Sequence, residues 1–307
     1  MPTSSSAMLP GMSRKLSAKP RITIVGAGNL ANALAHALRE AGYEIEQIVS
    51  QLQPASLRRA RRLAREVGAS AAITSRGRIQ SEVVWFCVPD RAIAATANFL
   101  AASADWSGKV ALHSSGALAS DELAALRSRG ATIASVHPLM TFVPGSRPSL
   151  AGVPFAIEGD SAAVRVARRI VKNLGGRAYS LQKEDKAAYH AWGTFASPLL
   201  TALLVTGEHV AAAAGIERKA AKKMILPLVR QTVANYAALE AAQAFSGPII
   251  RGDIETVKRH LHTLRRFPLA QDVYLSLSQA ALAYLPGKNK SALVRALKSS
   301  ARNRRGS

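Results

Sequence analysis

The sequence predicts an α/β domain built on a mostly parallel sheet, followed by an all-helical C-terminal domain. Three observations carry that prediction. From Arg21 onward, short β-branched runs alternate with stretches rich in Ala, Leu and Arg, the form a parallel sheet with crossover helices takes in sequence. The first run, RITIV, leads directly into a small-residue turn and then a helical stretch. Beyond Gln182 the strand signal stops, and apolar positions recur at helical spacing as far as Leu285. A chain of 307 residues, 48% of them hydrophobic, has the material for two cores.

Taken in order, strands are expected at 22–25, 44–50, 71–74, 83–88, 109–113, 132–136, 154–158 and 178–181. Most are rich in Val and Ile and bounded by Gly, Pro, Asn, Asp or Ser. The stretches between them, such as LANALAHALREAG and PASLRRARRLAREVG, alternate apolar and polar faces at helical period. Helices of the second domain are expected at 183–206, 217–244, 254–264 and 270–285, with Pro286-Gly287 ending the folded part. The domain plan is a disordered basic leader (1–20), a sheet domain (21–181), a helical domain (182–286) and a basic tail (287–307).

The net charge is +22, from 41 Lys and Arg against 19 Asp and Glu, and half of the surplus lies at the two ends. Arg58, Arg59, Arg61, Arg62 and Arg65 add a basic face on one expected helix. Such a chain attracts polyanions at low salt. With 5% aromatic residues and no recognition motif, no specific nucleic acid is expected as a partner. The longest apolar stretch, 195–205, is interrupted by Pro198 and falls short of the ~20 residues of a membrane helix, so no membrane span is expected. The first residues have no apolar core of the secretory kind, and the one cysteine, Cys87, sits inside VVWFCV as a buried, inert thiol. A cytoplasmic location is the expectation.

The strongest chemical signal is Gly26-Ala27-Gly28-Asn29-Leu30-Ala31, placed between a strand and a helix. Gly26 makes the tight turn, Gly28 lets a pyrophosphate approach the backbone, and Ala31 lets helix pack on strand. The helix N-terminus then offers free N–H groups to the phosphates. This defines a Rossmann-type dinucleotide site, completed by Val88 and Pro89 at the end of the fourth strand. An acid at the end of the second strand would select NAD through the ribose hydroxyls. This chain has Ser50 and Gln51 there, with Arg58 and Arg59 on the next helix, so NADP is the expected cofactor.

Several later motifs follow in order. They are VPD at 88–90, HSSG at 113–116, HPLMTF at 137–142, GVPFAIEGD from Gly152, KAAYHAWGTFAS from Lys186 and GPIIRGD from Gly247. Together they resemble a family of Rossmann-like proteins with a C-terminal helical domain of unknown function. That family is similar to deazaflavin-dependent NADP oxidoreductases, pyrroline-5-carboxylate reductase and the β-hydroxyacid dehydrogenases. The resemblance implies an NADP-dependent reductase of a small keto or imino acid. Similar sequences commonly have Asn after the serine of the helix motif, where this chain has Ser197-Pro198, so a contact by that Asn does not carry over.

Lys186, His190, Ser197 and Thr201 recur at helical spacing and make a polar stripe. Lys186 and His190, one turn apart, can reach one ligand atom and supply the proton that a reduced C=O or C=N needs. The β-hydroxyacid dehydrogenases are similar in placing a lysine, with an amide or imidazole partner four residues on, at the start of this helix. The alternative for Lys186 is an exposed pairing with Glu184 or Asp185. Ser114, Ser115, His137, Ser197 and Arg251 are candidate substrate contacts. Arg251 suits a carboxylate, but equally suits Asp253, itself placed to cap the following helix. No metal is expected, because no ligand spacing is present. A homodimer through the helical domain is expected, and the rival reading is a non-catalytic NADP-binding sensor or regulatory protein.

Overall fold

A computed structural model describes residues 19–74 and 79–305, leaving aside the side chains of 301–305. The chain divides into two compact units between Gly193 and Thr194. The sheet unit therefore runs 12 residues past the expected boundary at 181 and takes in the first helix after the last strand. Lys186 explains the difference, since its side chain is buried within the sheet unit. The expected leader falls almost wholly outside the described residues.

All eight expected strands are present, each within two residues of its expected bounds. They are β1 (Ile22–Val25), β2 (Ile45–Ser50), β3 (Ser70–Ile73), β4 (Val83–Phe86), β5 (Val110–His113), β6 (Thr132–Pro138), β7 (Pro154–Gly159) and β8 (Arg177–Ser180). The order across the sheet is β3-β2-β1-β4-β5-β6-β7-β8. Neighbours pair in parallel except β6 with β7. That antiparallel ladder carries β6 two residues past the expected end, because His137 and Pro138 pair with Ala156 and Phe155.

Helices of this unit are α1 (Asn29–Glu40), α2 (Pro54–Val67), α3 (Asp90–Ser103), α4 (Ala124–Arg127), α5 (Ser161–Asn173) and α6 (Lys186–Thr194). Alternation along the strands builds two cores, one on each face of the sheet. Ile22 and Ile24 of β1 and Trp85 of β4 pack with Leu34 of α1, Leu63 of α2 and Ile170 of α5. Val25, Val84 and Phe86 face the other way, toward Ile93 and Leu100 of α3. The chain reverses between β1 and β4, and both strands end on the edge where an open parallel sheet binds ligands.

The second unit opens with a π-helical turn (Phe195–Leu199) followed by α7 (Leu200–Ala211), α8 (Arg218–Ala238), α9 (Ala241–Ala244), α10 (Pro248–Arg251), α11 (Ile254–Leu264), α12 (Pro268–Tyr284) and α13 (Lys290–Arg305). Pro198 lies inside the π-helical turn, where its missing N–H interrupts the regular ladder. The helical stretch Lys186–Ala214 is long and apolar enough, by length and composition alone, to cross a membrane, with a mean hydropathy of 1.3. The expected basic tail folds instead as α13. Leu293 and Leu297, four residues apart, are buried against Val257, Leu261, Leu275 and Leu282, while Arg295 and Lys298 are exposed, so the helix is amphipathic. Composition alone hid the two leucines. His260 bonds the Tyr274 hydroxyl at 3.1 Å, an interhelical contact between α11 and α12.

Candidate dinucleotide site and active site

Gly26 has φ +116°, in the region that favours glycine, and a Cβ there would stand 2.4 Å from the Cys87 carbonyl oxygen. No other residue fits this turn. Gly28 is the N-cap of α1, with no side-chain cap, and a Cβ on it would meet nothing within 4 Å. The N–H groups of Asn29, Leu30 and Ala31 precede the first intrahelical bond, made by Asn32 to the Gly28 carbonyl, and Gly28 and Asn29 are exposed. Ala31 is fully buried between helix and sheet. Open space above a glycine turn with free N–H groups fits a pyrophosphate.

The turn opens into a cavity of about 420 Å³ that also includes Ser50, Gln51, Ser56, Arg59, Val88 and Pro89. Arg58, expected to bind the cofactor, is exposed and does not line it; Arg59 does. The reason is helical phase. Ser56 and Arg59, three apart, lie on the face of α2 turned to the cavity, and Arg59 donates to the Ser56 hydroxyl at 3.2 Å. Sequence reading saw an arginine-rich helix but not which arginine faces inward. Cys87 also borders the cavity; burial pushes its thiol up to about 12, which keeps it protonated and inert.

Three strand positions further along the same edge, at about 4.8 Å each, the ends of β5 and β6 carry a polar cluster. His137 Nδ1 bonds the Tyr189 hydroxyl at 2.9 Å, with the rings edge to face at 5.5 Å. His190 is exposed, its ring 6.1 Å from His137. Both imidazoles close on Gly116. A Cβ there would meet His190 Cδ2 at 2.6 Å and His137 Nε2 at 2.8 Å. Burial holds His137 near a pKa of about 4, aided by Lys186 and His190, so it is neutral at pH 7. Burial likewise raises Tyr189 to about 12.

Lys186 is not on an exposed stripe. It is 1% exposed and donates to the Ser115 carbonyl at 3.0 Å and the Ser135 hydroxyl at 2.7 Å. Desolvation lowers its pKa, with Glu158 and Asp90 opposing. Lys186 is thus engaged at Ser115 and Ser135, while His190 lies against the adjacent Gly116. Lys186 holds the turn after β5, and His190, one helical turn further on, is exposed.

The two serines are also engaged within the protein. Ser114 Oγ accepts from Trp85 Nε1 at 2.8 Å. Ser115 Oγ donates to Asp90 at 2.8 Å and accepts from the N–H groups of Ala117 and Leu118. His113 is fully buried; its Nδ1 accepts from the Ser115 N–H, which leaves Nε2–H to donate to the Ala119 carbonyl at 2.9 Å. That tautomer is neutral, and burial lowers its pKa to about 4. The sequence motif HSSG is thus a braced turn, and Gly116 is the position that admits the imidazoles.

Ser197 and Arg251 belong to the second unit. Ser197 lies in the π-helical turn, where its carbonyl accepts from the Thr201 hydroxyl at 3.2 Å. Arg251 ends α10 and is exposed. Asp253 caps α11, accepting from the Thr256 N–H at 3.0 Å. Tyr189 ranked below Lys186 and His190 in the sequence, and Ser135, Trp85 and Asp90 were missed as site residues, because each acts through a partner distant in sequence. Among the described residues, no group of three His, Cys, Asp or Glu side chains could hold a metal ion.

A model of Rossmann-like domains matches residues 9–138, and a model of a domain of unknown function (DUF2520) matches residues 153–281. The chain is thus a Rossmann-like domain joined to a DUF2520 C-terminal domain. No curated protein sequence matches it. Among solved structures it is similar to a candidate NADP oxidoreductase from Bacteroides fragilis, at 22% identity and TM-score 0.72, over 85% of this chain and 97% of that one. An imine reductase from a Pseudomonas species aligns at 22% identity and TM-score 0.58, over 91% and 100%. A reductive aminase from Aspergillus terreus, solved with NADPH and ethyl levulinate, aligns at 18% and 0.58, over 91% and 99%. At these identities the likeness establishes the fold.

Proposed function

We propose that this chain is a cytoplasmic NADP-dependent oxidoreductase that reduces a small keto or imino acid by hydride transfer. One observation carries the reading. A single sheet edge holds an open glycine turn over a cavity and, three strands along and so about 14 Å away, the imidazole and phenol cluster around Gly116. That span suits a dinucleotide with its phosphates at one end and its reacting ring at the other. The names of the neighbours, an NADP oxidoreductase, an imine reductase and a reductive aminase with NADPH, support the same chemistry. A lone buried thiol suits a reducing compartment.

NADPH bound at the turn would supply the hydride. The residues of the chain bind, orient and protonate. Gly28 and the first N–H groups of α1 hold the pyrophosphate, while Arg59 with Ser50 and Ser56 favours a phosphate over a bare ribose. Reduction places hydride on carbon and a proton on the oxygen or nitrogen, giving a hydroxyl or an amine. His190, the exposed member of the cluster, delivers that proton. The Tyr189–His137 pair orients the heteroatom, and Lys186 is a positioning residue that fixes the turn carrying Gly116.

The test follows NADPH absorbance against a panel of small 2-keto acids, cyclic imines and aldehydes. His190→Ala should lower turnover about 100- to 10,000-fold with NADPH affinity unchanged, and full turnover in that variant would remove His190 from the mechanism. The sensor reading draws on the internal engagement of Lys186, Ser114 and Ser115. It predicts NADPH binding without turnover of any panel member.

We also propose a homodimer through the helical unit. Ile225, Leu228 and Tyr236 recur along one side of α8, with Leu239 just beyond its end, and all are exposed, Leu228 at 63% and Tyr236 at 69%. An apolar helix face of that extent is covered in a stable protein. Analytical ultracentrifugation should show a dimer that Leu228→Glu with Tyr236→Glu converts to monomer; a monomeric wild type would contradict it.

A further inference from the structure

The loop between β6 and β7 is tied back onto the first turn of α1 at two points. The Asn29 amide donates to the Phe142 carbonyl at 3.3 Å, and Arg147 Nε donates to Asn32 Oδ1 at 3.0 Å. The same guanidinium reaches Glu66 of α2 at 2.7 Å, so one loop arginine joins the loop to both helices. These ties border a second cavity of about 360 Å³ beside the phosphate turn, where Gly28 meets Arg59, Arg62 and Arg147.

The charges there do not balance. Three guanidinium groups line the cavity against one carboxylate, Glu66, which is itself shared among His36, Arg62 and Arg147. The His36 hydrogen bond, with the two arginines, holds Glu66 below the usual carboxylate range, so it stays ionised and fully engaged. Arg59 lines both this cavity and the one above the turn. A concave site with surplus guanidinium charge, beside the N–H groups at a helix start, is complementary to a phosphate group.

We propose that the β6–β7 loop is part of the nucleotide site, and that Arg147, with Arg59 and Arg62, binds a phosphate group of the dinucleotide. The proposal rests on the dinucleotide reading above. Arg147 is half exposed, and an exposed ion pair contributes little to folding, so its effect belongs in ligand affinity rather than stability.

The experiment measures dissociation constants of NADPH and NADH for the full chain, for Arg147→Ala and for Arg147→Lys, with the ligand-free melting temperature of each. Loss of a charge-assisted hydrogen bond should weaken NADPH at least about tenfold in Arg147→Ala. Melting should stay near that of the wild type, and the lysine variant should recover part of the affinity. Weakening of NADPH alone assigns the 2′-phosphate; equal weakening of both nucleotides assigns the pyrophosphate. Wild-type affinity for both in Arg147→Ala overturns the proposal while leaving the dinucleotide reading intact. A wild type that binds neither nucleotide overturns both.

Discussion

Gly116→Ala separates the geometry of the cluster from the stability of the fold. The φ of Gly116 lies outside the left-handed region that favours glycine. Its Cβ would stand 2.6 Å from His190 Cδ2 and 2.8 Å from His137 Nε2. Ordinary contact begins at 3.4 Å, so the rings must retreat by about 0.8 and 0.6 Å. His190 is exposed, whereas His137 is half-buried and bonded to Tyr189. Overpacking commonly costs about 1–3 kcal/mol, and relief through an exposed ring puts this case near the lower end. A displacement of about 1 Å at reacting groups can cost about 100-fold in rate. Turnover should therefore fall roughly 10- to 100-fold while melting drops by only a few degrees and NADPH affinity stays unchanged. The assay pairs NADPH oxidation with a thermal melt and a binding titration on the same preparation. Full turnover in Gly116→Ala, with the fold intact, would refute the placement of the chemistry around this glycine.

The neutral histidines give a pH dependence of defined sign. His113 has a folded value of about 4 against 6.5 for the free side chain, so between those values the unfolded chain binds more protons. Stability from this group is fully present above pH 6.5 and is lost as pH falls toward 4, by roughly 3 kcal/mol; His137 acts in the same direction. Denaturant titrations from pH 7 to 4 should show the loss, and His113→Asn should flatten part of it; an unchanged slope would contradict the buried neutral assignment. In the helical unit, Leu297 is 1% exposed, so Leu297→Ala should cost about 2–5 kcal/mol. A silent Leu297→Ala in a chemical melt would restore the basic segment to the status of a tail.

Period and punctuation made much of this fold legible. Most strands of the sheet unit are short β-branched or apolar runs, and the GAGNLA turn announced the dinucleotide edge because Gly26 admits no side chain and Ala31 is buried between helix and sheet. The site was legible only as a set of residue types. Which of two adjacent arginines faces the cavity depends on the phase of α2, and helical phase is lost when a basic run is read as charge. Lys186 was read from its spacing to His190, yet its place is decided by Ser115 and Ser135, on elements far away in sequence. Tyr189 beside His190 was outweighed by the lysine, since nothing local reveals a hydrogen bond to His137. Arg147 lies between the HPLMTF and GVPFAIEGD motifs and belongs to neither; its ties to Asn32 and Glu66 disclose it.

The claim that the Gly26–Ala31 turn binds NADP is tested most directly by thermal melts with NADPH and NADH, in the wild type and in Gly28→Glu. Ligand at 100 times its dissociation constant adds about 2.7 kcal/mol, which for a unit of this size is a shift of roughly 5–11 °C. The account predicts that shift with NADPH, and a smaller one with NADH at the same concentration. Because the space above Gly28 is open, the glutamate should leave the ligand-free melting temperature nearly unchanged and remove the shift. Equal shifts with the two nucleotides, no shift with either, or a full shift persisting in Gly28→Glu would contradict the account.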